Sequence, residues 1–228
     1  MPNGVKPVSG VFMKKIMSVL ALLAMTSAPA SADTYRFSYS KLFTQLKHNT
    51  EEGHPDIGVA YFMISADSGQ VCPISRAWMR KKEHYEEFTI PASQALPLPL
   101  DNQLRQVNPD VFVETPSELN CDISFQVLVD KPVGNILTSQ QVRDWLPQMD
   151  AMMENLGGMF ASWFMPKTQG VVIHFAPSVA GKIINSAGQD YTIKNHQAII
   201  DASVLGQGAK LSLPATPIKV SPWLPKNG

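Results

Sequence analysis

The longest amphipathic pattern in the chain runs from Thr138 to Phe164. Its apolar residues recur at three- and four-residue steps, the spacing that places side chains on one face of an α-helix. Thr138 lies three residues before Gln141, which predicts a capping box at the start of the helix. Because Pro147 removes one helical hydrogen bond, we predict a central, kinked amphipathic helix over residues 138–165, or a short helix that leads into a longer one. The apolar stripe consists of Val142, Trp145, Leu146, Met149, Met152, Met153, Leu156, Met159, Phe160 and Trp163.

The segment before this helix, residues 33–137, predicts a β-rich unit with one short helix. Apolar runs bounded by turn residues predict strands at 35–39, 57–65, 71–79, 111–113 and 123–129, and a helix at 40–48. The turn at 67–69 would join the strands at 57–65 and 71–79 into a hairpin. The charged run at 80–87 fits the end of a hairpin or a helical turn, and its periodicity favours neither. The proline-rich run at 91–100 predicts edge strands and loops.

The segment after the helix, residues 166–228, predicts a second β unit. Residues 184–193 resemble 64–74, and 209–214 resemble 95–99, so this unit is a candidate weak repeat of residues 57–113. The alternative is that hairpin turns reuse Ser, Gly and Gln while strands reuse Leu and Pro. The fold class is therefore α+β, mainly antiparallel β, with two β units joined by the central helix.

The N-terminal residues 1–32 carry the pattern of a secretory signal peptide. Lys14 and Lys15 precede an apolar run that ends in the small residues Ala30-Ser-Ala32. The run is shorter than the roughly 20 residues that span a bilayer. We therefore expect cleavage after Ala32 and export to the periplasm, with translation starting at Met1 or Met13.

Charge narrows the classes of partner. The whole chain has 19 basic and 19 acidic residues, and removal of residues 1–32 deletes three lysines and no acid, which leaves 16 against 19. Binding to nucleic-acid phosphates depends on clustered Lys and Arg. A slightly acidic exported chain therefore predicts no nucleic-acid partner.

Cys72 and Cys121 are the two cysteines of the chain. Disulfides persist in exported proteins, so the pair predicts one structural bridge. A metal pair or a redox pair is the alternative, but the chain has no Cys-x-x-Cys and no His at ligand spacing from either residue.

The loop after the first predicted helix holds His48, Glu52 and His54, with Glu51 beside them. Imidazole and carboxylate groups are common ligands of divalent metals, so this loop is the candidate metal site. A solvated helix end has the same composition. The methionines of the helix stripe offer thioether ligands for Cu(I), but their position on the apolar face favours a role as core fillers.

The common catalytic and cofactor motifs are absent from the sequence, and no cofactor is expected. Missing are Gly-x-Ser-x-Gly, Gly-x-x-x-x-Gly-Lys, Gly-x-Gly-x-x-Gly and His-Glu-x-x-His. A hydrolase whose residues meet only in the fold is an alternative, and its site would be sought at His48, Glu52, His84 and His174. His174, in the run VVIHF, fits a core-edge histidine bonded to backbone or a catalytic base.

Five features together resemble an uncharacterised family of small exported proteins, of unknown function, from marine gamma-proteobacteria. They are the signal-peptide pattern, the opening YRFSYSKLFTQLKHNTEEGH, the two cysteines, the segment LPLDNQLRQVNP and the final KVSPWLP. The resemblance implies a periplasmic address. It supplies no catalytic residue, substrate or cofactor.

Together these patterns predict a non-enzymatic binding or assembly module of the cell envelope, with an envelope protein or a glycan as partner. Unpaired edge strands at 96–100 and 218–220 would accept a strand from that partner. A hydrolase with a dispersed site and a periplasmic metal-binding protein are the alternatives.

Overall fold

The structure of the protein is a computed structural model that describes residues 32–158 and 166–225. Within these ranges the chain forms thirteen strands and three α-helices. The strands are β1 (Ala32–Ser38), β2 (Ile57–Ser65), β3 (Arg76–Lys81), β4 (His84–Glu87), β5 (Asp110–Pro116), β6 (Cys121–Val129), β7 (Ile136–Thr138), β8 (Gly170–His174), β9 (Lys182–Asn185), β10 (Tyr191–Thr192), β11 (Gln197–Asp201), β12 (Lys210–Ser212) and β13 (Lys219–Trp223). The helices are α1 (Tyr39–Leu46), α2 (Asn102–Val107) and α3 (Ser139–Gly157), and a 3-10 turn spans Lys47–Thr50.

The described strands form four sheets with the orders β1-β5-β3-β4, β2-β6, β10-β9-β12-β7 and β11-β8-β13. Every pairing among them is antiparallel. The predicted class, α+β with mainly antiparallel sheets, is therefore confirmed.

The predicted signal peptide lies outside the described residues except for Ala32, which opens β1. Cleavage and export therefore stay predictions. In the part of the chain that the structure describes, no helix is long and apolar enough to cross a membrane.

The N-terminal core forms where α1 lies against the sheet β1-β5-β3-β4. The helix buries Tyr39, Leu42, Phe43 and Leu46 on one face, as its apolar spacing predicts. The sheet contributes alternate residues of β3 and β5 to this core, because successive side chains of a strand point to opposite faces. These are Ala77, Met79, Val111 and Val113.

The predicted hairpin between residues 57–65 and 71–79 is wrong beyond its turn. Val71 makes a single bridge to Ile64, and the Cys72 amide donates to the Met63 carbonyl at 2.8 Å. Pro73 then follows and has no N–H to continue the ladder. The chain leaves β2, and β3 pairs with β5 and β4 instead. The β3–β4 pairing also shows that the charged run at 80–87 is a hairpin and not a helical turn.

A long two-stranded ribbon, β2 with β6, takes part in both cores. Each strand has nine residues, and they pair along their full length. At one end Tyr61 and Met63 belong to the N-terminal core. At the other end Ile57 and Val129 belong to a second core.

This second core, which we call the C-terminal core, is built around α3. The predicted capping box is present, since Thr138 Oγ1 accepts from the Gln141 amide at 3.2 Å and Gln141 Oε1 accepts from the Thr138 amide at 2.9 Å. The helix stripe is buried against apolar residues of β8, β9, β11 and β12, as expected. Its buried members are Val142, Trp145, Met149, Met152 and Met153, and their partners include Val171, Ile173, Ile183, Ile200 and Leu211.

The central helix is continuous from Ser139 to Gly157 and contains Pro147. The kink at Pro147 stays a prediction. Residues 159–165, the predicted end of the helix with Met159, Phe160 and Trp163, lie outside the described residues.

Each half has one strand that pairs with two later segments, but the arrangement differs, and this bears on the candidate repeat. In the first half Ile64 bridges Val71 across a turn, and Leu96 later bridges back to Tyr61 of the same strand. In the second half β10 returns onto β9 across a turn, and β12 later pairs with β9. The two segments of the first half lie on the same edge of β2, whereas β10 and β12 lie on opposite edges of β9. The boundaries of the predicted units and the duplication itself stay predictions.

Candidate ligand-binding cleft

A cleft of about 900 Å³ lies between the two halves of the structure. Its walls come from residues 69–71 and 73, the loop at 92–94, residues 125–127 of β6, the last turns of α3, and residues 174, 175, 177, 195–197, 218, 219, 221 and 222. The volume falls within the range of small-molecule sites. The cleft is therefore the candidate functional site.

His174 and Ser221 meet in this cleft because β8 and β13 are antiparallel neighbours. His174 is paired in register with Lys219, and Ser221 lies two residues further along β13. Residues two apart on a strand point to the same face, so all three side chains share one side of the sheet. His174 Nε2 is 3.0 Å from Ser221 Oγ.

Lys219 reaches from β13 to the β2–β6 ribbon. Its Nζ donates a hydrogen bond to Gln126 Oε1 at 2.8 Å. The same atom lies 4.6 Å from the centroid of the Phe62 ring, at a distance where a cation is attracted to the ring face. Among the described residues, no carboxylate forms an ion pair with it.

Burial controls the protonation of both basic groups. Desolvation lowers the pKa of His174 to about 4, and the nearby Lys219 charge lowers it as well. Desolvation also lowers the pKa of Lys219 to about 8. At neutral pH the imidazole is therefore neutral while the ammonium is mostly charged, since each pKa lies on the corresponding side of pH 7.

The cleft carries charge of one sign. Its described lining includes one cationic side chain, that of Lys219, and no Asp or Glu. Low-dielectric walls with one sign of charge concentrate the field in a cleft. The electrostatics of the cleft therefore favour an anionic ligand group over a cationic one.

The candidate metal residues lie elsewhere, in the loop between α1 and β2. His48 Nδ1 is 2.9 Å from Glu51 Oε1, although the angles are not those of a hydrogen bond. Glu52 is exposed. His54 is buried, with Nε2 3.2 Å from Asn155 Nδ2. Within residues 32–158 and 166–225, no three side chains of His, Cys, Asp or Glu come together as a ligand set. The metal site stays a prediction.

The other residues singled out in the sequence lie in the N-terminal core, on the surface and in the cleft. Cys72 and Cys121 form the predicted disulfide, buried in the N-terminal core. His84 is exposed on β4, away from the cleft lining. His174 bonds to the Ser221 side chain, whereas a backbone partner was one of the two expectations.

Sequence reasoning did not single out Lys219, Ser221 or Gln126 as site residues. The sequence does carry a weak indication for Lys219 and Ser221. The run Ile218-Lys-Val-Ser alternates apolar and polar residues, which places both polar side chains on one face of a strand. Nothing in the sequence indicates that this face meets His174, 47 residues from Ser221.

These features define the class: an α+β protein of mainly antiparallel sheets with an electropositive cleft between its two halves. The chain belongs to the family DUF2987, proteins of unknown function, whose model matches residues 31–175. The expected membership of an uncharacterised family is confirmed, while the marine gamma-proteobacterial origin stays a prediction. The matched range includes His174 but ends before Lys219 and Ser221. No curated protein and no solved structure matches the chain.

Proposed function

We propose that the protein is a non-enzymatic binding module of the cell envelope and that its ligand occupies the cleft. The observation that carries the proposal is the electrostatic setting of His174 beside Lys219. It argues against general-base catalysis in a cleft whose size suits a ligand.

A histidine that activates a serine takes up a proton during the reaction, and an acidic residue normally stabilises the imidazolium that forms. Here the neighbour of His174 is a cation, and no described residue of the cleft lining carries a carboxylate. Both burial and the Lys219 charge oppose the imidazolium. The Ser221–His174 pair is better suited to a fixed hydrogen bond that presents a hydroxyl to a ligand.

The walls of the cleft support binding. Ligand sites are mostly apolar, with a few polar groups that orient the ligand. Phe125, which is 40% exposed, lies in the cleft wall together with the half-buried Leu156 and Ile218. Such exposed apolar surface is favourable when a ligand covers it.

The binding site is tested with a library of small molecules screened by thermal shift and then by NMR on labelled protein. Gln70→Trp places a large side chain in the cleft wall, and Gln106→Trp makes the same change on the exposed surface of α2. We expect ligands of the parent to lose affinity for Gln70→Trp and to keep it for Gln106→Trp. Ligands that bind both variants equally would place the site elsewhere.

The envelope location rests on the predicted signal peptide. Mass spectrometry of the mature protein from cell fractions is expected to find Asp33 at the N-terminus, in the periplasm. An intact N-terminus on cytoplasmic protein would contradict it.

A hydrolase is the second candidate, favoured by the 3.0 Å contact between Ser221 and His174 in a cleft. A fluorophosphonate probe labels an activated serine covalently. Labelling of Ser221 that disappears in Ser221→Ala and His174→Gln would establish the hydrolase over the binding module. Absence of labelling at Ser221 is the result that the binding module predicts.

A further inference from the structure

The Lys219 ammonium has N–H donors available to bind an anion. An ammonium has three N–H donors, and Gln126 Oε1 accepts the one hydrogen bond that the described residues provide. The group is partly buried, yet its neighbours are a neutral amide and an aromatic ring, 4.6 Å away. Removal of a charge from water without a counter-ion is unfavourable, and a bound anion would relieve this penalty.

We propose that the cleft binds an apolar molecule bearing one carboxylate, and that Lys219 Nζ pairs with this carboxylate. This inference rests on the proposed binding function. The ligand class is thus an apolar monocarboxylic acid. Three further features of the cleft support each part of this assignment.

The first feature is a second donor for the carboxylate. Ser221 lies on the same face of β13, about 6.6 Å along the strand from Lys219 at ~3.3 Å per residue. When the neutral His174 donates its Nε2–H to Ser221 Oγ, the serine hydroxyl hydrogen is free to bond to the ligand. A carboxylate between the two side chains would receive one charged and one neutral hydrogen bond.

The second feature is the number of cations, which separates a carboxylate from a phosphate. Phosphate sites combine several donors, with arginine forks or helix N-termini around the oxygens. The cleft lining described here has one lysine and no arginine. One monovalent anion matches this single cation.

The third feature is the apolar wall, which accounts for the body of the ligand. Phe125, Leu156 and Ile218 are lining residues that offer carbon surface to the cleft. Burial of a hydrocarbon chain or ring against them would provide the affinity that a single ion pair lacks.

The test uses octanoate, 3-phenylpropionate and the neutral octanol, titrated into the oxidised protein by calorimetry and NMR at pH 7. We expect both acids to bind in the cleft and octanol to bind at least about 10-fold more weakly, as the loss of a hydrogen-bonded charge predicts. The two acids also distinguish a chain from a ring as the preferred body.

Lys219→Met keeps the length of the side chain and removes its charge. We expect it to weaken octanoate binding by about 10-fold or more and to leave octanol binding unchanged. Lys182→Met, on the exposed side of β9, is the matched control and should bind like the parent. In the parent itself, octanoate affinity should fall as the pH rises above 8, where Lys219 loses its proton, while octanol affinity stays constant.

Equal binding of octanoate and octanol, with no effect of Lys219→Met and no pH dependence, would overturn the carboxylate assignment and leave the cleft as a binding site. Absence of cleft binding by either acid would overturn it as well. A different result would contradict the proposed function: ligands found by screening that bind Gln70→Trp with the same affinity as the parent.

Discussion

Asn49 binds both backbone groups of Val59 through its side chain. Nδ2 donates to the Val59 carbonyl at 3.0 Å, and Oδ1 accepts from the Val59 amide at 2.7 Å. The amide of Leu96 bonds to Tyr61, and that of Cys72 to Met63, along the same edge of β2. Three separate segments therefore cover the strand edge that faces away from β6. Such cover prevents a buried strand from leaving backbone groups unpaired.

Asn49→Ala is expected to destabilise the fold by about 1–3 kcal/mol, because it removes two hydrogen bonds to the partly buried backbone of Val59. Urea unfolding monitored by tryptophan fluorescence measures the change. Asn49→Asp keeps the acceptor and loses the donor, so it should fall between the parent and Asn49→Ala. Equal stability of Asn49→Ala and the parent would show that water replaces the side chain.

The disulfide joins the segment on the edge of β2 to the start of β6, across a sequence separation of 49 residues. Closure of a loop of this length stabilises a fold by about 4 kcal/mol in the chain-entropy model. We expect urea unfolding to show that the double variant Cys72→Ala/Cys121→Ala loses about this amount of unfolding free energy. A reductant should lower the stability of the parent by the same amount and leave the double variant unchanged. Peptide mapping without reductant should recover the linked pair, and two free thiols in the folded protein would refute it.

The buried stripe of α3 predicts a strong contrast between its two faces. Met149→Ala and Trp145→Ala should each cost about 2–5 kcal/mol, since both side chains lie in the C-terminal core and leave cavities. Gln140→Ala, on the exposed face, should stay within about 0.5 kcal/mol of the parent. Arg143 is unsuitable as a control because its guanidinium donates to the Leu205 carbonyl. Similar melting temperatures for Met149→Ala and Gln140→Ala would contradict the burial of the stripe.

His174 predicts a specific dependence of stability on pH. Burial and the Lys219 charge lower its folded-state pKa to about 4, below the ordinary value of 6.5. As the pH falls from 6.5 to 4, the unfolded chain takes up the proton first, so stability decreases across this window. The full loss is about 3 kcal/mol, at about 1.4 kcal/mol per pH unit.

Urea unfolding of parent and His174→Gln at pH 7.5, 6.0, 5.0 and 4.5 measures this term as the difference between their slopes. His84→Gln, exposed on β4, is the matched control and should keep the slope of the parent. NMR titration of the imidazole resonances reports the pKa directly. An ordinary pKa for His174 would show that the cleft is open to water at this residue.

The sequence by itself determined the parts that depend on neighbours along the chain. The capping box of Thr138 and Gln141 and the buried face of α3 follow from residue spacing along a helix. The bounds of β2 follow from a continuous apolar run that ends at turn residues. The Cys72–Cys121 bridge followed because the chain has two cysteines and hence one pairing. In each case the information lies within a few residues or within the composition.

Only the tertiary structure decided which strands are neighbours. An alternating pattern shows which face of a strand is buried but not which strand lies beside it, so the predicted return strand at 71–79 went to another sheet. The cleft has the same origin. His174 meets Ser221 across 47 residues, and Lys219 meets Gln126 across 93, because antiparallel pairing and core packing brought β8, β13 and β6 together. Contacts at such separations form when the whole core forms, and no local pattern encodes them.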